Sequence, residues 1–125
     1  MKLNKDCIRD LLLYLEDNLS YTSDININNL KFKNYTEEEL VYTCERLIEA
    51  DFLSCIVSKG FEMPIIIAKN ITYRGHEFLD NIRDDSVWKE TKKITSKFAS
   101  TSVQIISNVA AKVIAEIITK QLGIN

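Results

Sequence analysis

Three thiols and one imidazole are the side chains with the most chemical potential in this sequence: Cys7, Cys44, Cys55 and His76. Cysteines act as nucleophiles, zinc ligands or redox pairs when their spacing brings them together, as a Cys-x-x-Cys pair does. These three are odd in number, far apart and without such a pair, which fits reduced thiols buried as small hydrophobes. His76 follows Gly75 directly and has no serine or cysteine nucleophile beside it in sequence, so packing or hydrogen bonding is its expected role. A single histidine without clustered cysteines leaves a zinc site short of ligands. Asp80, Asp84 and Asp85 crowd one segment, where a solvated face or a helix cap explains them more simply than a divalent cation. There is no Gly-rich phosphate loop. The expectation is a protein that is not an enzyme, with no catalytic residue, no cofactor and no metal.

Composition narrows the class. The 125 residues make about one domain, with 46% hydrophobic and 27% charged residues, one proline (Pro64) and three glycines. Such a chain folds rather than staying disordered. A net charge of -2 argues against strong non-specific attraction to nucleic acid or anionic lipid, so any such contact must be local. The N-terminal MKLNKDCIRD is too charged for a secretory segment, and with unpaired cysteines this predicts a cytoplasmic protein.

The elements that would carry these residues follow from periodicity. Ile8, Leu11, Leu12, Leu15 and Leu19 recur at helical spacing and predict a first amphipathic helix. Residues 18–34 mix polar residues with Ile25, Ile27 and Leu30, which suits a loop with a short strand. In YTEEEL, Thr36 can cap a helix while Glu39 reaches back to complete a capping box, and Tyr35 and Leu40 can staple the turn. Leu40, Cys44, Leu47 and Ile48 form the predicted buried stripe of that helix. FLSCIVS and IIIA, separated by a turn with Lys59, Gly60 and Pro64, read as a β-hairpin. Thr72 can cap a third helix with Phe78, Leu79 and Ile82 inward, and Gly75 permits close approach to the hairpin.

Helix, short strand, helix, hairpin, helix is the winged-helix order, in which the hairpin is the wing and the helix before it often enters the DNA major groove. YTEEELVYTCERLIEADFL resembles the helix leading into the wing of many winged-helix regulators. ITYRGHEFLDNIRDDSVW resembles the signature of a bacterial and bacteriophage winged-helix family of unknown function, carried by Thr72, Gly75, His76, Glu77, Phe78, Leu79, Asp80, Ile82, Arg83 and Trp88. The likeness spans residues 1–93 and implies a fold and a phage or prophage origin, but no activity. One departure is Asp51, standing where related helices end in glycine, so that aspartate must take up the left-handed cap.

Charge weighs against DNA as the main partner. The helix placed to read a groove carries Glu37, Glu38, Glu39, Glu45 and Glu49, with Asp51 just after it, against Arg46, whereas phosphates require lysine or arginine. Lys59, Lys69, Arg74, Lys89, Lys92 and Lys93 are the candidate nucleic-acid contacts for a regulator of this shape, the alternative function. The tail offers the stronger lead. From Ser86 to Gly123 nothing breaks the chain, so one helix of up to about nine turns can form, and Trp88 would anchor it. Its second half, VQIISNVAAKVIAEII, is apolar over more than one stripe, too polar at Gln104, Asn108, Lys112 and Glu116 for a membrane span, and suited to self-association. Membrane-surface binding through the preceding lysines is the weaker explanation. The reading is an α+β protein, mostly α with a small β-wing: a winged-helix-like domain over residues 1–85 and a C-terminal helix over 86–125 for oligomerisation or packing. It predicts a non-catalytic assembly module, forming a homo-oligomer or meeting a protein partner through Val103, Ile106, Val109, Ala110, Val113, Ile114 and Ile117.

Overall fold

Ile8, Leu11, Leu12 and Leu15 share one stripe of α1 (Lys5–Asn18) and are fully buried. The computed structural model, which describes residues 1–123, continues with β1 (Ile25–Asn26), a 3-10 turn (Ile27–Asn29), α2 (Glu37–Glu49), β2 (Leu53–Ser58), β3 (Ile65–Ile71), α3 (Tyr73–Ile82), α4 (Asp85–Thr95) and α5 (Val103–Gln121). The chain divides into two compact units, Met1–His76 and Glu77–Asn125. The class is mostly α with a small antiparallel sheet and a long C-terminal helix, in a winged-helix-like layout.

The start of α2 is built as its sequence dictates. Thr36 Oγ1 accepts from Glu39 N–H at 3.1 Å and Glu39 Oε1 accepts from Thr36 N–H at 3.2 Å, a complete capping box. The buried face is Leu40, Val41, Thr43, Cys44 and Leu47, with Ile48 only half-buried. Ile48 is thus corrected out of the stripe, because the helix rolls Val41 and Thr43 inward instead. The helix ends in a Schellman turn: Phe52 N–H donates to Leu47 O and Asp51 N–H to Ile48 O, both at 2.9 Å. Asp51 sits at φ 63°, the left-handed conformation expected of it. Because glycine takes this conformation without steric cost, Asp51→Gly is expected to raise stability by about 1 kcal/mol in urea unfolding, and Asp51→Ala to raise it by nothing.

In the sheet, of order β1-β3-β2, β3 is central and antiparallel to both neighbours, and a bulge in the β2–β3 pairing falls between Ser54 and Cys55. Asn28, on the 3-10 turn, ties the far end of the hairpin down: its Oδ1 accepts from Ile66 N–H and its Nδ2 donates to Pro64 O, each at 2.9 Å. Thr72 joins three elements. Its hydroxyl donates to Asp51 O at 2.6 Å and accepts from Gly75 N–H at 3.0 Å, while its own N–H donates to Phe52 O at 3.1 Å. Gly75 presses on the start of β2 so closely that a Cβ there would lie 2.0 Å from Phe52 O.

In the second unit the tail is not one helix. Asp84 caps α4 by accepting from Ser86 and Val87 N–H, and the helix stops at Thr95. The chain turns through residues 96–102 before Ser102 caps α5 by accepting from Ile105 N–H at 3.1 Å. The expected unbroken helix is corrected for a local reason: Ser100, Thr101 and Ser102 are consecutive hydroxyl residues, whose side chains compete for backbone partners and favour caps over helix interiors. α5 packs against α4. Thr91 and Thr95 are fully buried on α4, yet their hydroxyls are satisfied by Val87 O and Thr91 O at 2.8 and 2.9 Å. The last two residues of the tail as read from sequence lie outside the described residues.

Candidate functional site

Of the basic side chains of the first unit singled out from sequence, Lys69 and Arg74 are engaged in local contacts. Lys69, on β3, pairs with Asp24 at 2.6 Å, and the Arg74 guanidinium lies 5.6 Å from the centre of the Phe52 ring. Lys59 is exposed just after β2. On α2, Arg46 is held by Glu49 at 3.1 Å and by the face of Tyr42 at 4.7 Å. α2 thus presents Glu37, Glu38 and Glu49 to solvent. In the second unit Lys89 and Lys93 are exposed on α4, while Lys92 lies 5.8 Å from the buried Trp88 ring.

Two thiols distant in sequence meet in the fold. Cys44 of α2 donates a hydrogen bond to Cys55 of β2, which also accepts from the Lys69 backbone N–H. Donation to Cys55, then burial, pushes the Cys44 thiol up, and accepting those bonds draws the half-buried Cys55 thiol down against its burial. Cys7 is pushed up to about 11 by burial. All three are thus core or part-core thiols. The Cys44–Cys55 pairing was invisible in the sequence because ten intervening positions hide a helix end and a turn that fold back on themselves. Tyr35 donates to Asp10 at 2.6 Å, and burial together with that bond holds its phenol well above the ordinary value.

His76 is exposed at the edge of an open groove of about 590 Å³ lined also by Leu15, Leu19, Tyr21, Asp24 and Lys69. Its backbone N–H donates to Thr72 O at 2.9 Å as part of the first turn of α3. Asp80 is paired with Arg83 at 2.9 Å, and Asp84 is a helix cap, so two of the crowded carboxylates have structural partners. Among the described residues no group of three His, Cys, Asp or Glu side chains is placed to hold a metal ion. No helix among them is long and apolar enough to cross a membrane.

The sequence-predicted contact residues of α5 divide by position. Val103, Ile106, Ala110 and Val113 are buried within the chain itself, so in this conformation they belong to its core. Their spacing is the one a helix uses to cover a neighbour, and α4 supplies a neighbour. Val109 and Ile114 are half-buried. The same stripe then runs into solvent: Ile117 is 37% exposed where Ile106 and Ala110 are fully covered. Helix length explains the change. At about 1.5 Å per residue, the 19 residues of α5 outrun the 11 of α4 by roughly 12 Å. Ile114, Ile117, Ile118 and Leu122 follow one another at i, i+3, i+4 and i+8, and Ile118 and Leu122 are 51% and 67% exposed. Sequence reading included Ile114 and Ile117 among the contact residues but not Leu122, which the structure places at the C-cap of α5.

Comparison with known proteins bears on the whole of this arrangement. An uncharacterized protein of Haemophilus influenzae (strain ATCC 51907 / DSM 11121 / KW20 / Rd) is 32% identical over 119 residues, covering 94% of this chain and 99% of that protein. Such coverage carries the likeness well into α5. No solved structure matches. Residues 2–102, from before α1 to the cap of α5, match the family described as "Hypothetical protein (DUF2513)". Its function is unknown, as the resemblance of the Thr72–Trp88 segment implied, and the chain belongs to this family.

Proposed function

We propose that this protein is a non-catalytic assembly module that self-associates through the C-terminal half of α5. The observation supporting this is the arc Ile114, Ile117, Ile118 and Leu122, which continues the buried stripe of α5 beyond its cover. Apolar surface on consecutive helical turns is stabilised by removal from water at about 25 cal/mol per Å². Small or uncharged neighbours, Ala111 and Ala115, let a second helix approach closely. A second copy presents the same arc, so a twofold contact is self-complementary. Function then follows from avidity: joined copies present several first units at once, and weak contacts by each add together. The acidic α2, with Arg46 engaged by Glu49 and Tyr42, makes a DNA regulator the weaker reading.

Point variants test this better than removal of the tail, because a truncation near Trp88 would also strip Val103, Ile106, Ala110 and Val113 from the core. Sedimentation equilibrium of the full chain should show concentration-dependent assembly. Ile118→Glu, which alters an exposed side chain, should shift it toward smaller species with an unchanged thermal midpoint. Identical mass for the two proteins at every concentration would overturn the proposal.

A further inference from the structure

β2 is outermost in the sheet order β1-β3-β2, so among the described residues one of its edges has no strand beside it. Proteins ordinarily blunt such an edge with a lysine, a proline or a very short strand. Here Leu53–Ser58 reads LSCIVS, without charge or proline, and the charges fall just outside it, Asp51 before and Lys59 after. Ile56 and Val57 are exposed, and Phe61 in the following turn is completely so. An uncharged edge with β-branched side chains in water is a template for another strand.

We infer that β2 pairs edge to edge and antiparallel with β2 of a second copy. Charge selects both the partner and the direction. In an antiparallel pair of identical strands, Lys59 of each copy comes to the Asp51 end of the other, whereas a parallel pair would set lysine beside lysine and aspartate beside aspartate. The bulge between Ser54 and Cys55 leaves residues 55–58 as the regular part of the edge. A twofold axis at Ile56 uses that part well: Ile56 faces Ile56, Cys55 faces Val57, and Ser54 approaches Ser58. Side chains of the same face then meet, as antiparallel pairing requires. This contact involves none of the α5 residues and stands independently of the assembly proposed for them.

The test is made on the full chain carrying Ile118→Glu, which removes the α5 contribution. Light scattering should show a monomer–dimer equilibrium, and adding Ile56→Lys, which sets two lysines face to face at the axis, should weaken dimerisation by at least about tenfold. Ile56 is exposed, so an unchanged circular dichroism spectrum and thermal midpoint should accompany the loss. A second measurement reads the register: with Cys55→Ser in place, Ile56→Cys should give a covalent dimer on mild oxidation, because facing residues lie within disulfide reach. Ser58→Cys in the same background should not. A strictly monomeric Ile118→Glu protein, a dimer indifferent to Ile56→Lys, or equal cross-linking at both positions overturns the inference. If wild type and Ile118→Glu assemble alike while Ile56→Lys dissociates them, the α5 reading fails and this one holds.

Discussion

Replacing Gly75 with alanine is expected to cost about 3 kcal/mol of stability, the upper part of the range for forcing extra volume into a packed site. Helix propensity alone predicts the opposite sign, since glycine within a helix is about 1 kcal/mol worse than alanine. Contact geometry decides the matter. A Cβ at Gly75 would lie 2.0 Å from Phe52 O, 2.7 Å from Ile71 Cγ2 and 2.9 Å from Phe52 C. The side chain of Ile71 could give way, but the Phe52 carbonyl is backbone. It accepts the Thr72 N–H at 3.1 Å, and Phe52 N–H is itself committed to Leu47 O. Relieving the clash therefore means loosening the end of α2, the start of β2 and the cap of α3 together. Urea unfolding followed by circular dichroism measures the loss, and a Gly75→Ala protein as stable as wild type would show that the junction is not so tightly set.

The second large effect concerns α5. Ile106→Ala is expected to destabilise the protein by about 2–5 kcal/mol, through lost burial and the cavity left behind. Ile106 is fully buried at the centre of the stripe Val103, Ile106, Ala110 and Val113. Ile118→Ala, one turn beyond Val113 on an exposed position, should change stability by less than about 0.5 kcal/mol, as surface substitutions do. The pair separates two roles that look the same in sequence. Calorimetric midpoints should fall for the first and hold for the second, while the assembly state should respond to the second. Equal midpoints for the two variants would place Ile106 outside the core.

From α1 to α3, the order of elements, the main caps and the first buried stripe were legible in the sequence for local reasons. Thr36 and Glu39 close a capping box using only residues three apart, and Ile8, Leu11, Leu12 and Leu15 reveal a helix by period alone. Asp51 at positive φ and Gly75 against the hairpin followed from what each residue type can adopt. The Thr72–Trp88 segment was sufficient to suggest a family of unknown function, and the chain belongs to one. Long-range pairings were not legible. Cys44 and Cys55 looked unrelated, and Asn28 gave no sign that its side-chain amide would clamp residues 64 and 66 of the hairpin.

What the sequence by itself determined is therefore the elements from α1 to α3 and the caps between them, because helical period, capping and left-handed φ depend on residues within one or two turns. What only the tertiary structure decided is which apolar side chains remain exposed. The tail contains enough isoleucine and valine to coat much of a helix, and no periodicity tells how far a neighbouring helix reaches along it. The break at residues 96–102 sets the lengths of α4 and α5, and that difference buries Ile106 while leaving Ile118 in water. The same holds for β2, which the sequence reads as one strand of a hairpin, while only the strand order shows that it is outermost in the sheet.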